Sequence, residues 1–464
     1  MSILSSFKIT ALHGYKEIEI DCKGNASIIL AENGVGKTTL LNTMYALLSG
    51  RISRLMSLDF DKAVLVFGKE EIVFSKNEAF NIDIKQSAVQ IMNKRQAREL
   101  VEYGVKPEHV IDLLLEYVQG GKSVAARHPV FRRIYTRSPW DEDEIFGRLE
   151  RLRNNLYNES YLRDFRSKIA NCLQGAEVLY LPTYRRIEAN SEDINLVRPT
   201  PRRKFLTEIE GAESERDELI FFGLSDVEDK LAFMCNFIQK SMIEAYSRLS
   251  GNLIDTLLGK AEYEVDVDLP MDVEAVRLML GRLGKNNTMT ESSLDVALGR
   301  SDIQNEKFRP LVYFLQQLLR SYEDSRPHEL AIEEFQRVVN FYLNGGEVLE
   351  KHIRFDKIKL KVEVWHEALK CALPFGCLSS GEKQIVSVFA RLLLDFDKRY
   401  LILIDEPELS LSIEWQRRFL PDILQTKSCA QLIAITHSPF VFENDLDQFA
   451  RSINVSRGNM HDPC

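Results

Sequence analysis

The stretch Ala26-Ser-Ile-Ile-Leu-Ala-Glu-Asn-Gly-Val-Gly-Lys-Thr-Thr39 decides the fold of this chain. It begins with a short apolar run, passes through a glycine-rich turn and leads into a helical pattern that extends to Leu48. This order predicts a strand, a loop and a helix. The loop has the spacing G-x-x-x-x-G-K-[ST] of a phosphate-binding loop, except that Ala31 stands where the first glycine is usual.

The loop residues have the chemistry that a polyphosphate needs. Gly34 and Gly36 let the backbone curl, so that successive N–H groups and the N-terminus of the following helix point at phosphate oxygens. Lys37 is expected to reach the β- and γ-phosphates, and Thr38 to place its hydroxyl on Mg²⁺. The full set expected at the nucleotide is Asn33, Gly34, Val35, Gly36, Lys37, Thr38 and Thr39. The alternative interpretation is an ordinary glycine turn before a helix.

A second motif, Tyr400-Leu-Ile-Leu-Ile-Asp-Glu-Pro407, is an apolar strand that ends in two carboxylates. Asp405 is expected to hold Mg²⁺, directly or through water, and Glu406 to polarise the attacking water. A buried strand with an acidic exit turn is the alternative. The phosphate loop in the same chain favours the catalytic interpretation.

Two further motifs follow the same logic. In Leu378-Ser-Ser-Gly-Glu382, hydroxyls and a glycine at a helix N-terminus form an anion site, which makes Ser379, Ser380, Gly381 and Glu382 nucleotide-binding candidates. Ser379 and Glu382 also fit a plain capping box, and both interpretations can hold together. His437 follows an apolar strand 32 residues after Asp405. A lone histidine is usually structural, but at the carboxyl end of an adjacent strand it can face the same phosphate.

The rest of the chain divides by pattern. Residues 60–82 alternate as a β-hairpin, 177–181 read as a strand that returns to the core sheet, and 190–218 read as an exposed polar loop. Long amphipathic helices are expected over 225–344, with breaks at Gly251, Gly281 and the Asn344-Gly-Gly turn. The expected parts are an N-terminal lobe with the phosphate loop (1–85), a helical insertion (86–175), a core strand and loop (176–190), a second helical insertion (191–345) and a C-terminal lobe with the remaining motifs (346–464).

Composition excludes several classes of protein. The 464 residues include 60 basic and 69 acidic side chains, for a net charge of −9, which argues against coating nucleic acid by charge alone. We find no apolar run long enough to cross a membrane and no secretory signal, so we expect a cytoplasmic protein without a membrane partner. The seven cysteines never occur as C-x-x-C, which indicates neither a disulfide framework nor a zinc clip, and we expect reduced, mostly buried thiols.

The order of these motifs resembles the ABC-type ATPase heads. Gly381 and Asp405 are 24 residues apart, and 344 residues separate Lys37 from Gly381. That long helical separation, together with Phe7-Lys-Ile-Thr near the start, resembles the SMC-like and OLD-type branch rather than transporter subunits. The fold class implied is α/β: a two-lobed ATPase head with mixed and parallel sheets, a phosphate loop and a large helical insertion.

The resemblance implies a head-to-head dimer with ATP and Mg²⁺ between the subunits. Thr38 and Asp405 would hold the metal, and Glu406 and His437 would act in catalysis. These four residues and Lys37 would belong to the same subunit. Ser379, Ser380 and Gly381 would act from the other subunit. The chain departs from the family pattern at two further segments, and the second of these, with Ala31 and Glu382, leaves hydrolysis slow or partner-dependent. No glutamine occupies Tyr180-Leu-Pro-Thr-Tyr-Arg-Arg186, where Arg185 is either a nucleotide contact or a surface residue, and Glu408-Leu-Ser-Leu-Ser412 lacks the usual terminal aspartate or histidine.

Within that branch the chain looks like the ATPase subunit of the Septu anti-phage systems, some of them retron-linked. Only 27 residues follow His437, so we expect no nuclease domain of the OLD type and no nuclease activity of its own. The resemblance implies a slowly hydrolysing ATP sensor and scaffold that assembles with itself as a dimer or higher oligomer. It would control a separate HNH-type nuclease subunit and could contact DNA or a retron nucleic acid.

Three alternatives stay open. One is an SMC-like DNA-maintenance or repair ATPase that clamps duplex DNA. Two basic clusters support it: Arg127, Arg132, Arg133 and Arg137, and Arg198 with Arg202–Lys204. A run of charged residues is, however, more often a solvent-exposed face. The others are a transporter's ATPase subunit and a binding protein with a degenerate site.

Overall fold

The structure is a computed structural model that describes residues 2–22, 24–31, 36–55, 58–80, 94–182, 223–257, 272–283, 309–345 and 350–457. The chain folds as two units, one made of Met1–Phe221 with Asp397–Cys464 and the other of Phe222–Phe396. This division groups the residues differently from the five segments defined on the sequence, whose bounds stay a prediction. Ser379–Glu382 belong to the second unit, whereas the carboxylates at 405 and 406 belong to the first.

The first unit contains both large sheets. Its elements before residue 222 are β1 (Ser6–Leu12), β2 (Lys16–Asp21), β3 (Ala26–Leu30), α1 (Lys37–Leu48), β4 (Lys62–Phe67), β5 (Glu70–Ser75), α2 (Lys76–Ala79), α3 (Lys94–Glu102), α4 (Pro107–Ala125), α5 (Pro129–Arg137), α6 (Glu142–Leu156), α7 (Glu159–Leu173) and β6 (Glu177–Leu181). The second unit contains α8 (Leu224–Leu257), α9 (Val273–Leu283), α10 (Arg309–Leu343), β7 (Lys351–Asp356), β8 (Lys361–His366), β9 (Cys371–Leu373) and α11 (Ser380–Leu394). The chain then returns to the first unit with β10 (Tyr400–Asp405), α12 (Ile413–Gln425), β11 (Cys429–Thr436), β12 (Ala450–Ser452) and β13 (Asn454–Arg457).

A five-stranded parallel sheet positions the motifs. Its strand order is β12-β3-β11-β10-β6, and β10 is buried along its whole length. Asp405 pairs with Ile435 and Thr436 pairs with Leu30, so β3, β10 and β11 end at the same edge. Since β6 pairs with β10 in parallel, the expected return of this segment to the core sheet is confirmed.

An antiparallel sheet of order β13-β2-β1-β4-β5 completes the framework of the first unit. The predicted hairpin is confirmed, with Val64 opposite Val73. Gln431, fully buried in β11, connects the parallel sheet to the chain beside β1 and β2. Its Oε1 accepts from the N–H groups of Ile3 and Leu4 at 2.9 and 2.8 Å, and its Nε2 donates to the carbonyls of Leu4 and Cys22 at 2.8 Å each.

The long helices of the second unit correct two sequence-based boundaries. α8 has 34 residues and α10 has 35. The breaks expected at Gly251 and Gly281 are wrong, because Gly251 lies inside α8 and Gly281 inside α9. A glycine weakens a helix by only about 1 kcal/mol relative to alanine, and the tertiary packing of the buried faces outweighs that cost. These faces include Met242, Leu249 and Met279.

Together, parallel and antiparallel sheets with flanking helices form a mixed α/β structure of the kind expected for a P-loop ATPase head. Helices α3–α7 lie between the hairpin and β6, with Phe131 packed on Phe146. Across the described parts of the chain, we find no helix that is both long and apolar enough to cross a membrane.

Candidate active site

Gly36 lies immediately before α1, and its backbone conformation leads the chain into the helix. Its backbone has φ 104° and ψ 26°, a left-handed conformation that side chains rarely adopt. The first turn of α1 contains no acidic residue, and Leu40 donates the first helical hydrogen bond to Gly36 at 2.9 Å. Helix starts leave their first N–H groups without helical partners and carry partial positive charge, so this end of α1 suits an anion. Asn33, Gly34 and Val35 lie outside the described residues.

Thr38 and Asp405 meet although they are 367 residues apart in the chain. Thr38 Oγ1 donates to Asp405 Oδ2 at 2.8 Å, and Asp405 is buried as the last residue of β10. A hydroxyl and a carboxylate are both ligands that suit Mg²⁺, which typically keeps water and phosphate oxygens as its other ligands. Among the described residues no group of three or more acidic, histidine or cysteine side chains could hold a metal alone. The hydroxyl and carboxylate pair therefore fits a Mg²⁺ that also binds phosphate oxygens.

Lys37 and Glu406 form an ion pair next to that contact. Lys37 Nζ lies 3.4 Å from Glu406 Oε1, with the lysine side chain 7% exposed and the glutamate side chain 23% exposed. Glu406 has a left-handed backbone with φ 51°, in a turn fixed by its N–H bond of 2.9 Å to the carbonyl of Ile435. Backbone strain of this kind is concentrated at functional sites. A polyphosphate at α1 would compete with Glu406 for the lysine ammonium.

Thr39 and His437 complete the predicted residues of this edge. Thr39 lies in the first turn of α1, where its carbonyl accepts from Thr43 Oγ1 at 2.7 Å. His437 directly follows β11, and its side chain is about half exposed. The ring bonds to Glu408, since Nδ1 lies 2.8 Å from Glu408 Oε1. The strand order therefore brings His437 to the same edge as Asp405, but its observed partner is a residue that the sequence did not single out as functional.

Glu408 is the polar residue that sequence reasoning missed. It is buried, and its two carboxylate oxygens accept from Thr436 Oγ1 at 2.8 Å and from the N–H of His437 at 3.1 Å. No local pattern predicts these bonds, because Thr436 is the last residue of the neighbouring strand β11 and His437 directly follows it, 28 and 29 residues further along the chain.

The serine–glycine motif lies in the second unit, at the start of α11. Ser379 Oγ accepts from the N–H of Glu382 at 3.4 Å, and Glu382 Oε2 accepts from the N–H of Ser379 at 2.6 Å. The capping box is therefore confirmed. Lys351 Nζ also lies 3.3 Å from Glu382 Oε2. The nucleotide-binding role of Ser379, Ser380, Gly381 and Glu382 stays a prediction.

Comparison with known proteins agrees with this chemistry. The family model described as "AAA domain, putative AbiEii toxin, Type IV TA system" matches residues 299–443, which include α11, β10 and β11. The Septu protein PtuA of Bacillus thuringiensis is 26% identical over 145 residues. That match covers 28% of this chain and 36% of the length of that relative.

Among solved structures, this chain is similar to the Smc head domain with an extended coiled coil, bound to the C-terminal domain of ScpA, derived from Pyrococcus furiosus. That similarity has a TM-score of 0.33 and 12% identity, and covers 98% of this chain and 96% of that chain. Beside the motifs at Lys37, Asp405 and His437, the family match and the curated relative make this chain similar to AAA-domain proteins and to Septu PtuA.

Proposed function

We propose that this protein binds ATP with Mg²⁺ and hydrolyses it at the edge where β3, β10 and β11 end. The observation that carries the proposal is the 2.8 Å hydrogen bond between Thr38 and Asp405 beside the Lys37–Glu406 pair. In this proposal the start of α1 and Lys37 bind the phosphates, and Thr38 and Asp405 hold Mg²⁺. The metal supplies positive charge that neutralises and orients the phosphate oxygens.

Glu406 has two partners in this proposal. In the structure its carboxylate pairs with Lys37. When the lysine turns to a phosphate, the carboxylate is released to orient and polarise the attacking water. Binding would thus prepare the catalytic group, because the more highly charged phosphate competes with Glu406 for the lysine ammonium.

Two substitutions separate binding from hydrolysis. Lys37→Ala should lower ATP affinity at least tenfold, since a buried cation at the phosphates is lost.

Glu406→Gln should keep ATP affinity and lower the hydrolysis rate by about 10²–10⁴-fold, the usual contribution of a general base. Lys62→Ala, at an exposed lysine of β4, is the matched control. Equal ATP binding by the wild-type chain and Lys37→Ala would contradict the proposed site.

At the level of the cell, we propose an ATP-dependent sensor and scaffold of an anti-phage complex, located in the cytoplasm, that restrains or releases a separate HNH-type nuclease subunit. The resemblance to Septu PtuA supports it. ATP would act by binding the closed head-to-head dimer better than the open one, with Ser379, Ser380 and Gly381 contributed by the second copy. Hydrolysis is proposed to be slow or dependent on the partner.

Mass photometry of the protein co-expressed with the product of its neighbouring gene tests this cellular role. We expect a stable hetero-complex whose mass or nuclease activity changes when Mg²⁺ and ATP are added. Glu406→Gln should accumulate the ATP-bound assembly because it cannot turn over. A bare dimer with no partner, identical with and without nucleotide, would contradict the role.

A second candidate is a DNA-clamping ATPase, and exposed arginines on α5 favour it. Arg132, Arg133 and Arg137 are exposed on this helix, while Phe131 and Ile134 on its opposite side are buried. Guanidinium groups on one helix face suit contact with a phosphate backbone, and such binding weakens as salt rises. Arg127 is exposed just before the helix, whereas the cluster at 198–204 lies outside the described residues.

Duplex binding measured at 50 and 200 mM salt distinguishes the two candidates. The DNA clamp predicts salt-sensitive binding that Arg132→Glu with Arg133→Glu abolishes. Arg163→Glu with Lys168→Glu, at exposed positions of α7, makes the same charge change elsewhere and should leave binding intact. Equal loss in both double variants would indicate a nonspecific charge effect and count against a site on α5.

A further inference from the structure

Glu408 forms a compact hydrogen-bonded group with the turn that follows β11. Its side chain is only 6% exposed, yet both oxygens are used. Oε2 accepts from Thr436 Oγ1 at 2.8 Å, and Oε1 lies 2.8 Å from His437 Nδ1 and 3.1 Å from the His437 backbone nitrogen. A buried carboxylate is costly unless it is hydrogen-bonded, so these three donors explain how this one is accommodated.

A second layer of hydrogen bonds holds the backbone of Glu408 in place. Gln416 Nε2 donates to the carbonyls of Glu408 and Leu411 at 3.3 and 3.0 Å. Ser438 Oγ donates to Gln416 Oε1 at 2.9 Å, so α12 and the turn after β11 are fixed together. The carboxylate therefore has little freedom to move away from the histidine ring.

This arrangement defines which nitrogen of His437 is presented outward. A carboxylate only accepts hydrogen bonds, so Nδ1 carries the proton that it shares with Glu408. The hydrogen bond made by one ring nitrogen sets the state and direction of the other. Nε2 therefore faces away from Glu408, on a side chain that is 47% exposed.

We propose that Glu408 is a positioning residue for His437: it fixes the ring and its Nδ1–H form so that Nε2 is presented to the γ-phosphate. This inference rests on the proposed ATP site. A buried Glu408 without such a role would only tie the ends of β10 and β11 together. The two possibilities differ in how nucleotide affinity responds when Glu408 is replaced. Only the positioning role predicts a loss of affinity that is specific for nucleotides with a γ-phosphate.

The test compares the affinities for ATPγS and ADP in the presence of Mg²⁺. Glu408→Ala should weaken ATPγS binding about tenfold and change ADP binding less than twofold, because a lost hydrogen bond to a charged group has about this effect. His437→Ala should do the same, and the double variant should be no weaker than either single variant, because both remove one interaction. Glu408→Gln keeps an oxygen that can accept from Nδ1 and should restore most of the difference.

Thr436→Val is the control, since it removes the hydrogen bond from Thr436 Oγ1 to the same carboxylate and the bond that Oγ1 accepts from the Ser438 N–H, and leaves the bond to the ring. We expect its ATPγS and ADP affinities within twofold of the wild-type values. Equal loss of both nucleotides in Glu408→Ala, or additive losses in the double variant, would overturn the positioning role while leaving the ATP site intact. A wild-type chain that bound neither nucleotide would overturn the proposed function itself, and this inference with it.

Discussion

At the scale of single residues, Gln431 shows how a polar side chain becomes part of a buried framework. Its amide uses all four of its hydrogen bonds on backbone groups of Ile3, Leu4 and Cys22, with Leu4 and Cys22 fully buried. Those backbone groups lie just before β1 and just after β2, so one side chain pairs with four backbone polar atoms beside the ends of two strands.

Gln431→Leu should lower the free energy of unfolding by about 3 kcal/mol, because it leaves buried N–H and C=O groups without partners. Urea unfolding followed by circular dichroism measures the change. Gln425→Leu, at the exposed last residue of α12, is the control for the same substitution and should change stability by less than about 0.5 kcal/mol. Equal stabilities of the two variants would show that the four hydrogen bonds contribute nothing.

The residues that could be predicted from the sequence share one property. Lys37, Asp405 and Glu406 each lie at the start of a helix or at the end of a strand, where a local pattern predicts a position and proposes a role. Gln431 and Glu408 have no such pattern, since their partners lie 427 and 29 residues away in the chain. Tertiary hydrogen bonds of this kind require the strand order, which the sequence alone did not provide.

At the scale of elements, a buried ion pair joins α9 to α10. Arg282 Nη2 lies 2.8 Å from Glu329 Oε2, and both side chains are only 1% exposed. Arg282 Nε also donates to the carbonyl of Lys357 at 2.7 Å. The pair explains how a short helix that contains Gly281 is held against a long one.

Arg282→Met should destabilise the second unit by about 3–5 kcal/mol, because it leaves the Glu329 carboxylate buried and without its charge partner. Adding Glu329→Leu should recover most of that loss, since an apolar pair of similar volume avoids the desolvation penalty. Thermal unfolding of the two variants provides the comparison. A double variant less stable than Arg282→Met would contradict this explanation.

Element boundaries were less predictable than element types. Helices were predicted over 225–344 but with breaks that the structure does not have, because glycine and proline only bias the local backbone. α10 continues through Pro327, and α8 continues through Gly251. Long-range packing of buried faces decides such cases.

At the scale of the whole molecule, the cysteines couple folding to pH. The expectation that they are mostly buried is wrong for the six described cysteines. Cys22 and Cys235 are buried, Cys172 and Cys429 are partly buried, and Cys371 and Cys377 are exposed. Burial raises the pKa of Cys22, and raises the pKa of Cys235 to about 11 and that of Cys429 to about 12. The usual value is 9.0.

These raised pKa values predict that stability falls as pH rises from about 9 to 11. In that window the unfolded chain has lost thiol protons that the folded chain still holds, so proton release favours unfolding. Thermal unfolding under reducing conditions at pH 8 and pH 10 measures the slope. Cys235→Ala with Cys429→Ala should flatten it. An unchanged slope would show that these thiols do not contribute.

The division into two units explains why the motifs were easier to find than the domain limits. The chain leaves the first unit after residue 221 and returns at 397, so two segments distant in sequence share one core. Leu401 and Leu403 of β10, for example, pack in the same apolar cluster as Leu40 and Leu41 of α1. The hydrophobic periodicity of a short segment does not indicate which distant segment it packs against.

The dependence of ATP binding on Mg²⁺ tests the central claim most directly. Calorimetric titration of the full chain with ATP should show affinity that rises at least tenfold when Mg²⁺ replaces EDTA. Thr38→Val should lose most of that rise, because the hydroxyl beside Asp405 is removed, while Thr10→Val in β1 should retain it. ATP affinity that is the same with Mg²⁺ and with EDTA, or the same in the wild-type chain and Thr38→Val, would contradict the assignment of this sheet edge as the ATP site.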